Sequence, residues 1–150
     1  MNHWLLKSEP DEFSIDDLKH RAHEPWSGVR NYQARNYLRD QMAVGDLVFF
    51  YHSSCAEPGV VGIAKIISAS YPDPTQFDPK SPYYDAASKP DHPRWFVVDV
   101  AYKRKLKRNI TLTELKQQKK LHDFPLIQRG NRLSVLPVSP AQWKIILELE

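Results

Sequence analysis

Hydrophobic and polar positions change period several times along the chain, and each change marks an element. His3 to Lys7 alternates, with Trp4 and Leu6 on one side and Leu5 on the other, which predicts a short strand. Lys7-Ser8-Glu9-Pro10 ends it, because Pro10 has no backbone donor and restricts Glu9. Ser14-Ile15-Asp16-Asp17 reads as a capping box with Asp for the usual Glu, opening a short helix through Leu18 and His20. Between Trp26 and Asp40 the period becomes helical. Asn31, Arg35 and Arg39 share one face, while Ala34, Leu38 and Met42 share another that can pack on a core. Gly45-Asp46 is a turn. Leu47 to His52, LVFFYH, is nearly continuous in its apolar character, the pattern of a strand buried on both faces. Ser53 to Gly59 is a loop, and Val60 to Ser68 is a β-branched strand interrupted by Gly62.

Tyr71 to Arg94 holds six of the twelve prolines, so it cannot stay regular for long. At that length it reads as a functional lid or a mobile loop. Trp95 to Tyr102 predicts a further strand, and Lys103 to Arg108 follows as a dense basic run, read as a hairpin tip. Thr111 to Glu114 is a capping box opening a short helix, and Arg132 to Val138 predicts a strand. Ser139-Pro140-Ala141-Gln142 caps a last helix whose apolar face is Trp143, Ile146 and Leu147. The elements do not alternate as in a doubly wound sheet. They predict an α+β fold: a small, strongly curved sheet or barrel with peripheral helices, in one domain spanning 1–150.

Composition narrows this only a little. A chain of 150 residues can bury a sizeable core, and 41% hydrophobic with 26% charged residues is ordinary for a soluble domain. A net charge of +3 permits a nucleic-acid partner without demanding one. The single cysteine, Cys55, excludes an intrachain disulfide and a cysteine metal centre, and suits a reducing, cytoplasmic compartment. The start, MNHWLLKSEP, is too short in apolar residues for a signal peptide, and no stretch approaches a membrane span. No metal or cofactor is expected, since the histidines lack ligand spacing and no phosphate-cradling glycine loop is present.

The candidate chemistry gathers where elements stop. Trp26, Ser27-Gly28 and Arg30 precede a helix, where a glycine turn, a helix N-terminus and guanidiniums all suit an anion or a close-approaching ligand. The plainer alternative is a solvated basic helix whose Trp26 fills the core. Trp4, Trp95 and Trp143 lie on strand or helix patterns and are assigned to the core. His52 and Ser53 close the LVFFYH strand with side chains that can hydrogen-bond a ligand; Glu9 is an acceptor for a ligand's donor or a partner for Lys7 or Arg30. Arg132 is an anion contact or a surface cation. Tyr83-Tyr84 either closes a pocket or packs the proline-rich segment down. Lys103 to Arg108 is either a phosphate-tracking patch or a solvated turn.

The order of these pieces resembles an EVE domain, of the PUA-like superfamily. The resemblance rests on Trp4-Leu5-Leu6-Lys7-Ser8-Glu9-Pro10, Trp26 to Asn36, Gly45-Asp46 with Phe50-Tyr51-His52-Ser53, Val61-Gly62-Ile63, Pro93-Arg94-Trp95 with Val98-Asp99-Val100, and Arg132-Leu133-Ser134-Val135 with Pro137-Val138. It implies a PUA-like curved mixed β-barrel of about five to six strands flanked by short helices. It also implies a non-enzymatic binder of nucleic acid, DNA or RNA, that takes a modified base, often a modified cytosine, into an aromatic pocket. The pocket so implied comprises Lys7, Ser8, Glu9, Trp26, Val29, Arg30, Asn31, Tyr51, His52, Ser53, Tyr84, Arg132 and Leu133. Phosphate contacts are expected from Arg30, Arg35, Arg39, Lys103, Arg104 and Lys105. Starting directly at the domain, the chain reads as a stand-alone bacterial member, cytoplasmic and monomeric. Two other classes stay in view: a protein-interaction module using the 71–94 segment, and a small hydrolase using His52 and Cys55.

Overall fold

The computed structural model describes residues 1–150. β1 (His3–Ser8) is followed by α1 (Ile15–Arg21), a three-residue strand β2 (His23–Pro25), and α2 (Tyr32–Asn36), which widens into a π-helical turn at Tyr37–Gln41. Next come β3 (Leu47–His52), β4 (Gly59–Ile66), the short pair β5 (Tyr71–Pro72) and β6 (Phe96–Val97), and the long β7 (Asp99–Thr111). The chain ends with α3 (Leu112–Lys116), β8 (Val135–Val138) and α4 (Pro140–Glu148). Six strands form one sheet in the order β2-β7-β4-β3-β1-β8. β1 and β3 are parallel and the other neighbours antiparallel. Irregular pairings at Phe50/Tyr51, Val60/Gly62 and Ile63/Ala64 bend the sheet into a half-barrel. The expected curved mixed sheet with peripheral helices is therefore found, with its edges β2 and β8 not hydrogen-bonded to each other. No helix is long and apolar enough to cross a membrane.

The continuous apolar run of β3 has a direct cause: both faces of the sheet are covered. Val48 and Phe50 enter the core under α1 and α2, beside Trp4, Leu6, Leu18 and Leu38. Phe49 and Tyr51 enter the opposite core under α3 and α4, where Phe49 stacks on Trp143 at 3.7 Å. The parallel pairing of β1 and β3 requires a crossover, and that crossover carries α1 and α2 across one face. Gly62 is the place where Ile15 of α1 reaches the backbone of β4, leaving no room for a Cβ. The capping boxes at Ser14 and Ser139 form with both reciprocal bonds. At Thr111 only half forms, because the Glu114 carboxylate goes to Arg108 instead, at 2.8 Å.

Two elements differ from expectation. The Trp95–Tyr102 strand breaks at Val98, and its second part continues through Thr111, so Lys103 to Arg108 lies within a strand rather than at a hairpin tip. Beyond Ala101, β7 has no strand partner on its outer side, and lysines on such an edge oppose strand addition. Distant carboxylates accompany it: Arg104 meets Glu150 at 2.8 Å and Lys105 meets Asp16 at 3.0 Å. Arg132 to Ser134 precede β8 rather than forming part of it.

Candidate functional site

β1 and β3 run parallel with Ser8 opposite His52, so both end at the same rim. The Ser53 N–H continues the ladder by donating to Ser8 O at 3.0 Å. On the other side of β1 the Lys7 N–H donates to Ser134 O at 2.9 Å, bringing the approach to β8 alongside. The fourth wall is the Trp26–Arg30 turn, whose Trp26 N–H donates to Val98 O at 2.9 Å, at the break between β6 and β7. Segments far apart in sequence therefore enclose one cavity of about 800 Å³. That lies within the range of small-ligand sites.

Lys7, Ser8, Glu9, Trp26, Val29, Arg30, Ser53 and Arg132 all line it, so these expected pocket residues come together. Trp26 belongs to both core and cavity. It is only 8% exposed, meets Phe50 edge-on at 5.5 Å and Phe13 at 6.3 Å, and still borders the open space. Its indole N–H has no protein acceptor and is not buried, unlike those of Trp4 and Trp95, which donate to Asp46 and Asp85. The serine hydroxyls of Ser27, Ser53, Ser54 and Ser134 also border the cavity, whereas Ser8 Oγ is spent on Phe13 O.

The Trp26–Arg30 turn is locked to the proline-rich segment. Gly28 has φ +86°, and a Cβ there would lie 2.7 Å from the Tyr83 ring. The Gly28 N–H donates to Asp73 Oδ2 at 2.9 Å, and Arg30 Nη1 donates to the same oxygen at 3.0 Å. Arg30 also donates to Tyr83 O, Thr75 Oγ1 and Val29 O, and its guanidinium lies over the rings of Trp95 and Tyr83. Burial alone would raise the Asp73 carboxyl; the Gly28 N–H, Thr75 and Arg30 outweigh it and hold it below the usual carboxylate range. Buried Gln76 extends the anchorage, donating to Asp73 O and Trp95 O and accepting from Ser88 Oγ. The 71–94 segment is thus fastened to the body of the domain, and it reaches the cavity through Tyr83. Of the Tyr83-Tyr84 pair, Tyr83 lines it and Tyr84 is exposed outside.

The other expected residues lie elsewhere. Asn31 caps α2 by accepting from Ala34 N–H at 3.0 Å. Tyr51 is buried in the opposite core, and Leu133 packs against both cores. Arg35 lies over Tyr32 and donates to Arg94 O; Arg39 pairs with Asp40 at 2.7 Å. Lys103, Arg104 and Lys105 lie on β7, outside the cavity lining. Phe13, Ser54, Asn131 and Ser134 were not anticipated as lining residues, nor was Asp73 as the anchor. No group of three or more His, Cys, Asp or Glu side chains is arranged to hold a metal.

His52 stands just behind the rim, where Nε2 accepts from the Ile15 N–H at 3.1 Å and so caps α1. Burial pushes its imidazole below the ordinary value of 6.5, against a raising pull from Asp16. A lowered folded value stabilises the neutral form, so the contribution is full above about pH 6.5 and is lost as pH falls through the lowered value. His3, also lowered by burial, acts in the same direction. Thermal melts should therefore show the domain losing stability as pH falls below about 6.5. His52→Gln, which keeps an acceptor, should flatten part of that slope. An unchanged slope in the variant would remove His52 from the account.

Comparison with known proteins places this geometry among relatives. A family model described as the EVE domain matches residues 2–149. Thymocyte nuclear protein 1 of Gallus gallus is 46% identical, over 99% of this chain and 68% of that protein. A crystal structure of a Pseudomonas syringae protein superposes with TM-score 0.95 at 53% identity, covering 98% of each chain. A crystal structure of the human THYN1 protein in complex with 5-methylcytosine containing DNA superposes with TM-score 0.93 at 43% identity, covering 99% of this chain and 97% of that one.

Proposed function

The chain belongs to the EVE domain family, and from that premise we propose that it is a non-catalytic reader of nucleic acid that takes a modified base, foremost a modified cytosine, into the cavity beside Trp26. The observation that carries this is Trp26 itself: a large aromatic, held edge-on by Phe13 and Phe50, with an open indole N–H at a cavity rimmed by free hydroxyls and the Glu9 carboxylate. A base needs a planar surface to stack on, polar groups for its edge and room to leave the helix stack. Glu9 suits the exocyclic amino group of cytosine, and Phe13 and Val29 offer apolar surface for a 5-methyl group. The likeness to the human protein bound to 5-methylcytosine DNA supports the same choice of ligand.

A hydrolase finds less support, since His52 Nε2 is committed to the Ile15 N–H and neither His52 nor Cys55 lines the cavity. A docking role for the 71–94 segment is likewise less supported, because Asp73, Gln76 and Ser88 fasten it to the body. The reading extends to a monomer working in the cytoplasm.

The test is fluorescence anisotropy with short DNA and RNA oligonucleotides, each carrying one modified or unmodified base, at two salt concentrations. Tighter binding of a modified-cytosine oligonucleotide, weakening as salt rises, is expected. Equal affinity for modified and unmodified strands would contradict base reading.

A further inference from the structure

Most arginines here are already occupied. Arg21, Arg30, Arg39, Arg94, Arg104 and Arg108 each sit against a carboxylate. Arg35 spends its donors on Asn36 and on Arg94 O. Two cations at the cavity differ. The ammonium of Lys7 is part-buried at the end of β1, with no carboxylate within 4.0 Å and no hydrogen-bond acceptor. Arg132 is exposed at the same cavity, and its guanidinium donates to no protein group. The bond from Lys7 N–H to Ser134 O places the two on adjoining segments of one rim.

A part-buried ammonium without a counter-charge is costly, and an anionic ligand would offset that cost. Burial accordingly pushes the Lys7 amine below its ordinary value of 10.5, with no partner to restore it. The cavity also carries Glu9 and Glu12, neither in an ion pair. They disfavour a free multivalent anion but tolerate a singly charged phosphodiester whose base offers donors to a carboxylate.

We propose that Lys7 and Arg132 form a seat for one backbone phosphodiester, that of the nucleotide whose base enters the cavity, with the Ser53 and Ser134 hydroxyls as neutral donors beside it. The inference rests on the base-reading function above and locates its phosphate contact at the cavity rather than on α2 or β7. The seat binds the phosphate and the base as one unit, so it recognises a nucleotide within a strand.

The test uses the full chain and a fluorescent 5-methylcytosine DNA oligonucleotide over a range of salt. Lys7→Met and Arg132→Gln should each weaken binding and each lower the slope of log affinity against log salt by about 1. Lys144→Met, exposed on α4, serves as the surface control and should keep the wild-type slope. Lys7→Met should melt no lower than wild type, because it removes an unpaired charge, so lost binding cannot be laid to unfolding. As a second readout, the phosphate flanking the modified nucleotide is replaced by a neutral methylphosphonate. This should weaken the wild type but add nothing further in the double variant. Wild-type slopes in both variants, or a methylphosphonate penalty that persists in full in the double variant, would overturn the seat while leaving base reading intact. No binding of any oligonucleotide by the wild type would overturn both.

Discussion

Replacing Asp73 by alanine is expected to remove about 3–5 kcal/mol of folding free energy, the typical cost of deleting one partner of a buried ion pair. Its side chain is fully buried and accepts from the Gly28 N–H, Arg30 Nη1, the Thr75 N–H and Thr75 Oγ1. Alanine would leave a largely buried guanidinium, 22% exposed, without its counter-charge, and two backbone N–H groups without an acceptor. Asp73→Asn keeps the shape but presents donors to donors, so it should fall between the two. Urea unfolding measures both. The same variants should weaken oligonucleotide binding under conditions where they remain folded, because the Gly28 turn and Tyr83 lose their common anchor. A loss under about 1 kcal/mol for Asp73→Ala would mean that the turn and the 71–94 segment do not depend on this carboxylate.

Trp26→Ala should act on two quantities at once. The indole fills space between Phe13 and Phe50 and is 8% exposed, so truncation should cost roughly 3–5 kcal/mol of stability. Losing a stacking surface worth roughly 1–3 kcal/mol per base should weaken binding of the preferred oligonucleotide about tenfold to a hundredfold. The salt slope should stay nearly intact, because no cation is removed. Trp26→Phe separates the two effects: it retains a ring against Phe50 and a stacking face, and loses the indole N–H. It should remain folded and bind between wild type and alanine. A folded Trp26→Ala protein with wild-type affinity would return Trp26 to the scaffold alone.

What was legible in the sequence was what depends on near neighbours. The LVFFYH pattern and the observed strand share the bounds Leu47–His52, because burial on both faces writes itself into consecutive residues. The helix starts at Ser14, Thr111 and Ser139 were legible because a cap is a local hydrogen bond. β2 was not, since three residues ending in Pro25 carry no period. The basic run of β7 reads as a tip in the sequence because its partners Asp16 and Glu150 lie 89 and 46 residues away. At the cavity, Lys7-Ser8-Glu9, Trp26 and Ser53 were legible as side chains at places where elements stop. Asn31 and His52 sit at similar places, but helix N-termini claimed them. Asp73 gave no signal, because Pro72-Asp73-Pro74-Thr75 reads locally as a turn and its partners are Gly28 and Arg30.

The most direct measurement is an NMR titration of the four tryptophan indole N–H signals with a 5-methylcytosine DNA oligonucleotide and its unmodified counterpart. Trp26→Phe assigns the Trp26 signal. Trp4 and Trp95 donate to Asp46 and Asp85, and Trp143 stacks in the opposite core on Phe49. The Trp26 signal is expected to move furthest, to saturate with the binding curve, and to move more at equal concentration for the modified strand. Binding that leaves the Trp26 signal in place, or shifts it equally with both strands, would contradict the claim that the cavity beside Trp26 reads a modified base.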